Sequence, residues 1–157
     1  HSIARRQRQM CIRDRVDGAD VIILPTAAQT RSLELTLEMA EHLKQFNVPF
    51  AALLVKVDSR KAKAAREIRQ ALEAAEISVL RTQIPLLAAF EKAENAGVTV
   101  DQAVSASGKS DPRRMIGWHA YTKACEEIAG LVPQRTNVVP MHPIGWDTTP
   151  LEDRRAA

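Results

Sequence analysis

Between residues 20 and 100 the chain alternates short apolar runs with stretches whose apolar residues recur every three or four positions. The first run, Asp20 to Pro25, is apolar on both faces, the pattern of a parallel strand covered by helices on each side. It is expected to stop at Pro25. Thr30 or Ser32 can cap the helix that follows, in which Leu33, Leu37, Ala40 and Leu43 keep helical spacing through about Phe46, with Asn47 and Pro49 ending it. A second run, Phe50 to Val57, predicts another buried strand. Asp58 and Ser59 are cap candidates for the next helix, whose apolar stripe is Ala65, Ile68, Leu72 and Ala75. A third run, Val79 to Pro85, leads into a helix for which Gly97 supplies the stop.

This alternation of strand and helix predicts an α/β fold with a partial parallel sheet of about three strands and right-handed crossovers. Residues 103–110 are mostly small and polar and predict a loop. Asp111 and Pro112, a cap followed by a first-turn proline, then open a helix whose stripe of Trp118, Tyr121, Cys125 and Ile128 is expected to pack in the core. Beyond Leu131 the periodicity is lost. Residues 132–157 hold four of the eight prolines and predict an extended or disordered tail, with Trp146 as a candidate anchor. Strands apolar on both faces need more neighbours and coverings than this length provides, so part of the sheet is expected to be missing upstream.

Composition narrows the class. The chain has 157 residues, 45% hydrophobic and 26% charged, near globular averages, and its apolar runs fall far short of the roughly 20 residues of a membrane span. A soluble protein is expected. Cys11 and Cys125 are too few for a disulfide framework or zinc site, which fits a reducing cytoplasm, and the four histidines show no ligand spacing. A net charge of +3 suggests an acidic partner, yet residues 1–15 alone carry five arginines and one aspartate, leaving the rest at −1. That leader resembles a cloning linker read as coding sequence and is expected to be foreign to the fold; a basic DNA-binding arm is the alternative. The expected organisation is therefore a leader (1–15), a folded unit (16–131) and a tail (132–157).

Neither GxxxxGK[ST] nor GxGxxG occurs, so nothing here is expected to cradle a triphosphate, and this chain alone is expected not to hydrolyse ATP. What does occur, in order, is ADVIILPT at Ala19 to Thr26, ALLVKVDSR at Ala52 to Arg60, the pair Ile84 and Pro85, and AENAGVTV at Ala93 to Val100. Together these resemble the C-terminal half of the ParA/MinD-type P-loop ATPases, more closely the ParA partition branch, over about residues 17–131. The resemblance implies a P-loop NTPase-like fold. It places Lys56, Val57 and Asp58 near the adenine of a bound nucleotide, has Pro85, Leu86 and Leu87 border the base, and sets the phosphate-binding lysines and catalytic aspartate before residue 16. It further implies a parent that uses ATP and Mg²⁺, forms a homodimer through the nucleotide, binds DNA non-specifically and answers to a centromere-binding partner. That parent would be cytoplasmic and associated with a nucleoid or plasmid.

Two departures matter. Many relatives carry a charged residue after the Ile-Pro pair, where this chain has apolar Leu86 and Leu87. The segment VKVD also resembles the Asn/Thr-Lys-x-Asp guanine motif of related GTPases, but Val55 replaces the polar first residue. For Lys56 and Asp58 the simpler reading is a solvated strand end with Asp58 capping a helix. The helix after Asp58 gathers Arg60, Lys61, Lys63, Arg66 and Arg69 against only Glu67 and Glu73. Arg60, Lys61, Lys63 and Arg66 are candidate contacts to DNA phosphates. A solvated face with Lys63–Glu67 and Arg69–Glu73 pairs is the alternative. For the whole chain, the alternatives to a partition ATPase are a non-catalytic binding module and another P-loop enzyme such as an ATP-dependent ligase.

Overall fold

The computed structural model describes residues 16, 18–104 and 108–132. The basic leader, Cys11, and the tail from residue 133 with Trp146 lie outside the described residues. The described chain is α/β. Three parallel strands, β1 (Ile22–Ala27), β2 (Phe50–Val57) and β3 (Val79–Pro85), pair in the order β1-β2-β3. They alternate with α1 (Thr30–Leu43), α2 (Ala62–Ala74) and α3 (Ala88–Ala96), and α4 (Arg114–Leu131) closes the described fold.

The central strand explains the layering. Ala52 and Leu54 point to one face of β2, where they join Ala40 of α1 and Ile68 and Leu72 of α2. Ala51 and Leu53 point to the other, against Leu80, Ile84 and Ala124 of α4. Successive residues alternate faces, so a strand buried on both sides must read as a continuous apolar run. A third cluster, Ala89, Ala93, Val100 and Ala103, seats α3. Gly97 ends that helix in left-handed backbone (φ 64°), and the Val98 N–H reaches back to the Ala93 carbonyl at 3.1 Å, the hydrogen bond of a Schellman stop.

Several local expectations are corrected. β1 runs through Pro25 to Ala27, because an edge strand tolerates a residue with no N–H. Neither Thr30 nor Ser32 caps α1, which begins after Gln29 and ends at Leu43. Ser32 Oγ instead accepts the Ala27 N–H, while the buried Thr26 and Thr36 hydroxyls share a 2.9 Å hydrogen bond between β1 and α1. Asp111 lies three residues before α4; its carboxylate accepts the Arg113 N–H and pairs with Lys92 of α3. The Lys92 bond, ahead of the Arg113 one, holds the Asp111 carboxyl below the usual carboxylate range.

The expected core stripe of α4 is also different. Trp118, Tyr121 and Cys125 are exposed, and Ile128 alone of the four packs against the core, with Gly117 and Ala124 as the buried positions. Small residues bring this helix close. A Cβ on Gly117 would stand 2.9 Å from the Phe90 ring, so a side chain here would require that ring to shift.

β3 carries a bulge that periodicity did not show. Between the pairs Ala52↔Val79 and Leu54↔Gln83, β2 advances two residues while β3 advances four. The freed backbone groups are taken from both layers. Arg69 of α2 donates to the carbonyls of Leu80 (2.8 Å) and Arg81 (3.5 Å). Glu127 of α4 accepts the N–H groups of Arg81 (2.7 Å) and Thr82 (2.9 Å), and the Thr82 hydroxyl. Arg69 is thus not a purely solvated partner of Glu73, which lies 3.8 Å away. Burial pushes the Glu127 carboxyl up, but these donors outweigh it and hold it below its ordinary value.

Candidate functional site

At the carboxyl ends of β2 and β3 lies a cleft of about 860 Å³, the position where open α/β sheets place ligands. Lys56 from β2 and Pro85, Leu86 and Leu87 after β3 all line it. Four of the six residues expected around a nucleotide base, all but Val57 and Asp58, therefore meet on one surface, although they come from segments some 30 residues apart. The end of β3 is held to β2 by the Leu86 N–H, which donates to the Val57 carbonyl at 2.9 Å. Lys56 adopts left-handed backbone (φ 53°), a conformation that costs a side-chain-bearing residue about 1–2 kcal/mol and recurs at ligand sites.

Asp58 is not in the cleft. Its two carboxylate oxygens accept from Arg60 Nε (3.0 Å) and Nη2 (2.9 Å), and Oδ1 also accepts the Arg60 N–H at 3.0 Å, which caps the short 3₁₀ turn Ser59–Lys61. Held by the Arg60 side chain first and its N–H second, the Asp58 carboxyl drops to about 2. Asp58 therefore caps the 3₁₀ turn that leads into α2, close to the simpler reading of the sequence, while α2 itself begins after Lys61 with no side-chain cap.

The remaining walls of the cleft were not expected from sequence. Phe90 and Tyr121 meet edge to face at 5.6 Å, and Glu91 and Glu94 line the α3 side. Tyr121 was assigned to the core, which hid its place in the cleft. Spacing gives a signal for α3 alone: Leu87, Phe90, Glu91 and Glu94 fall at helical intervals and so share one side of that helix.

The candidate phosphate contacts lie apart, at the start of α2. Arg60, Lys61, Lys63 and Arg66 are all exposed. Arg60 is committed to Asp58, and Lys63 stands 3.8 Å from Glu67. Pairs this exposed hold their cations weakly, leaving the charge of the patch available to an anion. Among the described residues no cluster could hold a metal ion, and no helix is long and apolar enough to cross a membrane. No protein-family model matches the chain, and no curated protein matches it.

Proposed function

We propose that this chain is the C-terminal portion of a ParA-like partition ATPase and supplies the base-side wall of its nucleotide site. The observation that carries the reading is the convergence of Lys56, Pro85, Leu86 and Leu87 on one cleft at the carboxyl ends of adjacent parallel strands. An apolar slot with a few polar groups at its rim suits a planar base. In the parent, ATP and Mg²⁺ would be held by phosphate-binding residues before residue 16, and positioning and charge stabilisation there would carry the phosphoryl chemistry. The contribution of this chain is to bind and orient the base. Asp58 lies outside the cleft, so no carboxylate from the VKVD segment faces the base, which favours adenine over guanine.

The exposed cations of α2 give the parent a DNA-facing patch without sequence preference. In the full-length parent, ATP-dependent retention on DNA of unrelated sequence is the expected result. Reversing Arg60, Lys61 and Lys63 to glutamate is expected to weaken that retention by about tenfold or more at moderate salt. Retention unchanged by the reversal would remove the patch from the account, and absence of ATP-dependent retention in the parent itself would overturn the partition reading.

A further inference from the structure

A second groove, of about 710 Å³, runs between the bulged strand β3 and α4 and adjoins the base cleft at Pro85, which lines both. Arg81 from β3 and His119 and Lys123 from α4 stand along it, and no carboxylate is among its lining residues. His119 and Lys123 are four apart on the helix, so both present their heads to the same side. None of the three has an ion-pair partner among the described residues. Glu127, which faces Arg81, hydrogen-bonds the backbone of β3 and offsets part of that cation's charge, but it makes no ion pair with either Arg81 or Lys123.

The floor is apolar. Pro85, Ala120 and the exposed Ile116, 54% accessible, form it together with Val57. A binder must satisfy both features. Nucleic acid backbone would neutralise Arg81 and Lys123 but leave the apolar floor wet, whereas a peptide that alternates apolar and acidic side chains covers the floor and meets both cations at once, with His119 as a further hydrogen-bonding group. The bulge keeps such a segment from simply extending the sheet, because Glu127 already holds the Arg81 and Thr82 N–H groups; side-chain complementarity must supply the affinity.

We propose that this groove is a docking site for an acidic, partly apolar peptide segment of a partner protein; the cations that would hold the peptide, Arg81 and Lys123, lie outside the base cleft. The test is fluorescence anisotropy with a fluorescein-labelled peptide of alternating glutamate and valine, compared with lysine–valine and glutamate–serine peptides and a short DNA duplex. The glutamate–valine peptide is expected to bind best. Joint Arg81→Glu and Lys123→Glu substitution is expected to weaken it by about tenfold or more, while Arg31→Glu with Lys44→Glu, on the α1 layer across the sheet, leaves it unchanged. Thermal melts confirm that both variants are folded, and Arg81→Gln with Lys123→Gln, which adds no repulsion, is expected to fall between.

Failure of the glutamate–valine peptide to bind overturns the proposal. So does equal binding by the lysine–valine or glutamate–serine peptide, indifference to the groove substitutions, or a duplex that binds through Arg81 and Lys123 and displaces the peptide.

Discussion

Glu127→Ala is expected to destabilise the fold by about 2–3 kcal/mol, measured by urea unfolding monitored by circular dichroism. The carboxylate accepts two backbone N–H groups of the β3 bulge and the Thr82 hydroxyl, and alanine removes all three charge-assisted bonds, leaving the partly buried Thr82 donors without a partner while the exposed Arg81 N–H turns to water. Glu127→Gln retains one acceptor oxygen and is expected to cost less, because charge-assisted bonds are stronger than neutral ones. The pH dependence has a definite sign. The folded-state carboxyl lies below its unfolded value, so this stabilisation is complete above the ordinary glutamate range and is lost as pH falls through the folded value. The wild type should therefore lose more stability than Glu127→Ala on moving from neutral pH to below the glutamate range. Equal losses in the two proteins would show that the bulge is held by something else.

Leu54→Ala is expected to cost about 2–5 kcal/mol. Leu54 is fully buried, pairs with Thr26 on one side and Gln83 on the other, and faces the cluster that joins α1 and α2 to the sheet. Neighbours on both flanking strands prevent collapse into the space, which places the cost in the upper part of that range. Leu35→Ala, on the exposed side of α1, is the matched control and should shift stability by no more than about 0.5 kcal/mol. A Leu54 variant as stable as the Leu35 variant would mean that β2 is not the centre of the core.

The elements themselves were legible because the strands are nearly uninterrupted apolar runs and the helices keep their period. β2 and β3 begin and end where the apolar runs do. β1 was displaced because Pro25 reads as a stop, although at a sheet edge it removes no ladder hydrogen bond that matters. α4 misled for a different reason. Its large residues, Trp118 and Tyr121, dominate the apparent stripe, while contact with the sheet is made through Ala120, Ala124 and Ile128, and Gly117 lets the helix approach Phe90; glycine and alanine register weakly in any hydrophobic pattern but allow close approach.

Site residues divide the same way. Lys56, Pro85, Leu86 and Leu87 share one cleft because each sits at or just beyond a strand end, which the apolar runs mark. Asp58 does not join them, since Arg60 two positions later captures it and no periodicity records that pairing. The bulge clamp and the cationic groove were invisible because their members, Arg69 with Glu127 and Arg81 with Lys123, lie about 40 to 60 residues apart and meet only through the layered fold.

The central claim is that the cleft beyond β2 and β3 receives a nucleotide base. Photolabelling the chain with an azidoadenine nucleotide, followed by mass-spectrometric mapping, tests it most directly, because covalent capture registers even weak occupancy. Adducts at Lys56 or between residues 84 and 91, suppressed by excess adenine nucleotide and not by guanine nucleotide, are the predicted result. Adducts scattered over the surface, or a cleft left unlabelled while other segments react, would contradict the account.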